Sequence, residues 1–172
     1  VHTAGVVHRD LKPSNVFACG STWKLIDFGA SMWQDGSGTL THGNIVGTPG
    51  YMAPEQARGE PVDRRCDIYA FGALMYRLVT GVPAVVPRDL PVMLQEVSYR
   101  MPAQPSHVAP GIPRGVEAVL AIALAKAPKD RFASAGELAK AFSTAAAGKV
   151  DPALIARADR LLAATPWGRW ID

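Results

Sequence analysis

Cysteine is scarce: the 172-residue chain has two, Cys19 and Cys66, far apart in sequence. A Cys/His metal centre needs clustered ligands, so none is expected and both thiols read as ordinary and reduced. Basic runs are missing as well. The longest is the pair Arg64-Arg65, and 18 basic against 15 acidic residues leave a net charge of +3. So mild an excess, without a Lys/Arg patch, gives no reason to expect a nucleic-acid partner. No apolar stretch reaches the ~18 residues of a membrane-crossing helix, and no signal-peptide pattern opens the chain. There is no internal repeat. The expectation is a soluble, cytoplasmic chain without a membrane segment. Hydrophobic content of 48% and charged content of 19% are ordinary for a globular protein, and the length suffices for one domain with a sizeable core.

The first third is turn-rich and short-stranded. Val16-Phe17-Ala18-Cys19 and Thr22-Trp23-Lys24-Leu25-Ile26 read as two strands, and the Gly20-Ser21 link between them predicts a tight hairpin. Residues 29–50 hold many Gly, Ser, Thr and Asn and no periodicity, so they read as a long functional loop. The rest reads as helices. From Asp67, the residues Ile68, Phe71, Leu74, Met75, Leu78 and Val79 recur at helical spacing, and Gly81 supplies the stop. So broad an apolar face predicts a central, buried helix. A short helix is expected over 89–97, and another opens at Pro113 with Val116, Val119, Leu120, Ala123 and Leu124 on one face. Ser134 and Glu137 form a capping-box pattern before Leu138 and Phe142. Residues 143–150 read as a hinge. Asp151-Pro152 then starts a last helix with Ile155, Ala158, Leu161 and Leu162 inward, ended by Pro166. Trp167 and Trp170 either dock this tail or fray with it.

Chemistry concentrates in His8-Arg9-Asp10-Leu11-Lys12-Pro13-Ser14-Asn15, where a carboxylate, an ammonium and a carboxamide lie within six positions. Phosphoryl transfer needs these types together: a carboxylate to orient an attacking hydroxyl, a cation to neutralise the transferring group, and an Asn oxygen for Mg²⁺. Asp27-Phe28-Gly29 follows 17 residues after Asp10 (27 minus 10), directly after the second hairpin strand. A third motif runs Gly47-Thr48-Pro49-Gly50-Tyr51-Met52-Ala53-Pro54-Glu55.

In order and spacing these segments resemble the C-terminal lobe of protein kinases, and Arg131-Phe132-Ala133-Ser134-Ala135-Gly136-Glu137-Leu138 has the flavour of its bacterial members. The resemblance implies a mainly α-helical (α+β) lobe with a small β-hairpin beside the catalytic loop, covering residues 1–146, followed by a helical tail over 147–172. It implies ATP-dependent phosphorylation of protein Ser/Thr hydroxyls, since Lys12 resembles the serine/threonine rather than the tyrosine branch. Asp10, Lys12 and Asn15 take the catalytic places; Asn15 and Asp27 hold Mg²⁺; Phe17 forms the floor under ATP. His8 packs against Phe28, and Gly29 lets the chain turn. Thr48 bonds toward Asp10 and Lys12. Glu55 is buried and paired with Arg131. Asp67 accepts backbone N–H groups of the catalytic loop, and as a helix-start Asp it also reads as an N-cap. Arg9 points to control by phosphorylation of the long loop, with Thr39 and Thr41 as candidate sites. His2, His42 and His107 read as solvated loop residues.

The pattern covers half of a kinase domain. No G-x-G-x-x-G lies in the 172 residues, and no strand supplies the Lys that contacts the ATP α/β-phosphates. The implied partners are therefore a protein substrate and an N-terminal lobe, carried upstream or on a separate chain. Without that lobe the chain is expected to show little activity and to expose apolar groups on its upper face. The alternative is a truncated, catalytically dead kinase-like module that binds other proteins. Small-molecule phosphotransferases share an Asp-to-Asn loop but generally lack the Lys12-type residue and the Ala53-Pro54-Glu55 segment.

Overall fold

A computed structural model describes residues 1–33, 48–149 and 151–171. The chain opens with a one-turn 3-10 helix, His2–Ala4, and a two-residue strand β1, Val6–Val7. The predicted hairpin is present as β2, Val16–Cys19, and β3, Thr22–Leu25, paired antiparallel from Val16↔Leu25 to Cys19↔Thr22. Its residues are mostly exposed. A bare hairpin is marginal in water, and this one is anchored at its open end by Ile26 N–H donating to the Asn15 carbonyl at 3.0 Å. A second small sheet is not legible in the sequence: β4, Met32–Trp33, pairs with β1 through Val6↔Trp33 and Val7↔Met32. Two-residue strands carry no alternation to read.

Helices make the body. They are α1 (Pro54–Ala57), α2 (Arg65–Thr80), α3 (Leu90–Tyr99), α4 (Pro105–Val108), α5 (Arg114–Ala123), α6 (Ala135–Ala146) and α7 (Pro152–Ala164). Among the described residues, none is long and apolar enough to cross a membrane. The start and stop signals act as expected. Gly81 closes α2 in the left-handed region (φ 76) and donates to the Arg77 carbonyl. Asp151 caps α7 through the N–H groups of Ala153 and Leu154, and Ser134 caps α6 by accepting from Glu137 N–H. The returning Glu137 carboxylate accepts from Ala133 N–H, one residue before the cap. Residues 143–146 continue α6 rather than forming a hinge; alanine is the strongest helix former, and no breaker lies between Ser143 and Gly148.

The core lies around α5, whose Val119, Leu120 and Ile122 are fully buried between α2, α6 and α7. At the α2–α5 crossing, a Cβ on Gly72 would meet the Ala123 Cβ at 2.8 Å, so the two helices touch where one has no side chain. Of the apolar face drawn for α2, Ile68, Leu74 and Met75 are buried and Val79 packs on the core, while two positions are corrected. Phe71 and Leu78 are 38% and 80% exposed, while Tyr69, Ala73 and Tyr76 are buried. At the crossing, small residues rather than large ones define the buried side, because they admit the neighbouring backbone. Helix α7 carries Ala158 into the core at 1% exposure, with Ile155, Leu161 and Leu162 packed against it. The terminal segment docks: Gly168 N–H donates to the Pro102 carbonyl and Ile171 N–H to that of Tyr99, both at 2.7 Å. Trp167 packs on the core while Trp170 stays half exposed beneath the Arg100 guanidinium.

Candidate phosphotransfer site

The loop from His8 to Asn15 is shaped from two sides. Asp67, in the first turn of α2, accepts the backbone N–H of His8 (2.9 Å) and of Arg9 (2.8 Å), as the resemblance implies. It is not the N-cap; Arg64 occupies that position. Holding two successive amides lets Arg9 sit at φ 67, a left-handed conformation that costs a side-chain-bearing residue about 1 kcal/mol or more. His8 is fully buried. Its Nε2–H donates to the Ile26 carbonyl at 3.0 Å, its Nδ1 accepts from Asp10 N–H at 3.3 Å, and its ring lies 4.8 Å from that of Phe28. Both nitrogens are committed to backbone, so His8 is placed for packing rather than proton transfer. The Arg9 guanidinium Nε donates to the Ala30 carbonyl.

Asp10 gathers the polar groups. Its Oδ2 accepts from the Lys12 ammonium at 2.6 Å and from Asn15 Nδ2 at 3.5 Å, and its Oδ1 accepts from the Thr48 hydroxyl at 2.9 Å. Thr48 thus reaches Asp10; the Lys12 ammonium is engaged with the same carboxylate, not with Thr48. Asn15 Nδ2 also donates to the Asp10 carbonyl at 2.9 Å. A carbonyl can only accept, so this bond fixes the amide nitrogen inward and leaves Oδ1 as the atom for a cation. Asn15 directly precedes β2, and Asp27 lies two residues past Leu25, the partner of Val16. Hairpin register therefore brings Asn15 and Asp27 to the same open end. Asp27 itself is left-handed (φ 62), and its Oδ1 accepts from Gly29 N–H at 3.4 Å. A Cβ on Gly29 would stand 3.3 Å from that oxygen. A side chain at 29 would therefore crowd the Asp27 carboxylate, while the left-handed turn falls on Asp27 itself. Oxygen-only donors of this kind suit Mg²⁺.

The hairpin and the turn after it expose apolar side chains, with Phe17 and Trp23 on opposite sides of the ribbon: Phe17, Trp23, Ile26 and Phe28 are 53%, 74%, 42% and 42% exposed. In the helical body, Glu55 of α1 and Arg131 form a buried, bidentate ion pair at 2.6 and 2.7 Å. Thr39, Thr41, His42 and Gly47 lie outside the described residues. A cleft of about 550 Å³ between α4, α5 and α7 holds none of these groups.

Two contributors escape the sequence reading. Gln56 accepts from Ala53 N–H at 3.0 Å and donates to the Arg9 carbonyl at 2.8 Å, stitching α1 to the loop. His2 is not solvated as expected but donates from Nε2 to Asp67 at 2.8 Å. The bonds to Arg9 and Asp67 are long-range contacts that local spacing does not encode. The start of α2 is served instead by Asp63, which accepts from Arg65 N–H at 2.7 Å. Asp67 is thereby left to bind His2, His8 and Arg9.

A carboxylate, an ammonium and the side chains of Asn15 and Asp27 thus lie around the open end of a hairpin, on a helical body. A family model described as "Protein kinase domain" matches residues 1–142. The chain is 42% identical over 155 residues to serine/threonine-protein kinase Pkn1 of Myxococcus xanthus, covering 87% of this chain and 22% of that protein. It is 39% identical over 145 residues to a probable serine/threonine-protein kinase PknB of Corynebacterium glutamicum (80% and 22%). Over 147 residues it is 38% identical to serine/threonine-protein kinase PknE of Mycobacterium tuberculosis (85% and 26%). The chain belongs to the protein kinase family, with the fold of its C-terminal lobe and relatives of the bacterial serine/threonine type. It spans about a quarter or less of the length of these relatives.

Proposed function

We propose that this chain supplies the catalytic loop and substrate side of an ATP-dependent protein serine/threonine kinase. The observation that carries the reading is the Asp10 carboxylate, held by Lys12, Asn15 and Thr48 beside the hairpin end that bears Asp27. Asp10 orients a Ser/Thr hydroxyl and accepts its proton. Lys12, now on Asp10, moves its charge onto the transferring phosphoryl oxygens. Asn15 Oδ1 and Asp27 hold Mg²⁺, which when bound neutralises the ATP phosphates. Phe17 offers an apolar floor to the nucleotide base. Phe17 and Ile26, which the hairpin register puts on one side, are exposed and belong to the surface that an ATP-clamping lobe covers. Arg9, near this site, receives a phosphate on Thr39 or Thr41. The reaction belongs in the cytoplasm, where ATP is available.

The test is phosphate transfer from Mg-ATP to a basic protein substrate, using a protein that joins this chain to an ATP-clamping lobe. Asp10→Asn is expected to lower kcat by about 10²–10⁴-fold. The 172-residue chain alone is expected to turn over far more slowly than the joined protein. Equal turnover with and without the Asp10 carboxylate would overturn the assignment and favour a protein-binding module.

A further inference from the structure

Helix α7 lies beyond residue 142, where the match to the kinase model ends. It is nevertheless tied to the buried Glu55–Arg131 pair. Arg157 of α7 donates from Nη2 to the carbonyls of Asp130 (2.8 Å) and Arg131 (2.7 Å). Its guanidinium also lies 5.4 Å over the ring of Phe132. Three consecutive residues are thus gripped by one side chain, whose neighbour Ala158 is buried in the core.

The gripped segment is a junction. Arg131 donates to Glu55, to the carbonyls of Ala125 and Lys126, and to that of Arg65. Lys126 donates to the Val97 carbonyl of α3 at 2.7 Å. Helix α1 continues the path, because Gln56 bonds the Arg9 carbonyl and Thr48, shortly before α1, bonds Asp10. The backbone at 130–131 therefore sets where the Arg131 fork stands, and the fork sets α1. We propose that Arg157 is a positioning residue: it fixes this backbone so that α1 and the segment before it hold their place beside Asp10. The consequence for catalysis rests on the kinase reading; the mechanical coupling does not. A guanidinium is suited to the task, because it bonds two carbonyls while its plane covers a ring; an ammonium lacks that plane.

Two measurements test this. In the 172-residue chain, amide hydrogen exchange is compared between the parent and Arg157→Ala. Exchange at Ala57 and Arg58 of the α1 turn is expected to quicken by about tenfold, with α2 amides such as Leu74 changing by less than about twofold. Arg157→Lys is expected to restore only part of the protection. Unchanged α1 exchange overturns the proposal, and so does equal acceleration of α1 and α2, which marks a general loss of stability. In the joined kinase, Arg157→Ala is expected to lower kcat/KM for the protein substrate several-fold, with KM for ATP within about twofold. Failure of the parent protein to transfer phosphate would count against the kinase reading, while the exchange experiment still decides the coupling.

Discussion

Arg131 has five N–H donors, and the fold uses every one: two on Glu55 and the others on the carbonyls of Ala125, Arg65 and Lys126. Burying a guanidinium and a carboxylate is costly, and only such complete satisfaction offsets it. Removing one partner strands the other. Arg131→Met is expected to cost about 3–5 kcal/mol in urea unfolding. Replacing both, as in Glu55→Leu with Arg131→Met, should recover part of that loss but not all, because three carbonyls remain without their donor. A double variant no more stable than Arg131→Met would show that the stranded carboxylate is not the source of the cost. The two thiols differ by environment. Burial first, and then the nearby Asp67 carboxylate, push the Cys66 thiol up, so it is inert beside the exposed Cys19.

Among elements, the helices with strong end signals are legible in the sequence. Gly81, Ser134 and Asp151-Pro152 each act locally, through a turn or a cap, and each marks its helix boundary. The four-residue helices α1 and α4 and the β1–β4 pair are not legible, because so short a segment carries no period. The buried side of α2 is legible in part: Ile68, Leu74 and Met75 are buried as their spacing predicts. The same spacing also suggests Phe71 and Leu78, which are exposed, whereas the α5 contact selects Gly72 and Ala73. Gly72→Ala tests that seam. The added methyl improves helix propensity by about 1 kcal/mol yet collides with Ala123, so a net destabilisation of about 1–2 kcal/mol is expected in thermal or urea unfolding. A stabilised variant would mean the helices separate at little cost.

For the whole molecule, Lys126 ties helices together at the expense of its own protonation. Desolvation, then the Arg131 and Arg58 charges, lower its pKa from 10.5 to about 7, and Glu96 opposes them. Between those values the unfolded chain binds the proton more fully than the folded one, so stability rises with pH. Well below about 7 both states are protonated and the dependence vanishes. Unfolding followed over about pH 6 to 8 isolates this window, because the raised Cys66 and Tyr69 groups act in the opposite sense mainly at higher pH. The slope approaches at most about 1.4 kcal/mol per pH unit and should disappear in Lys126→Met; a slope that persists there would assign it elsewhere. The linear chain by itself determined the identity and order of the chemical groups, since the loop from His8 to Asn15 and Asp27-Phe28-Gly29 act over short spans with fixed spacing. Only the tertiary structure decided which distant groups hold them: Asp67, His2 and Gln56 around the loop, and Arg157 behind Arg131. Such partners are chosen by how helices pack, and packing depends on shapes meeting across the core rather than on neighbours along the chain.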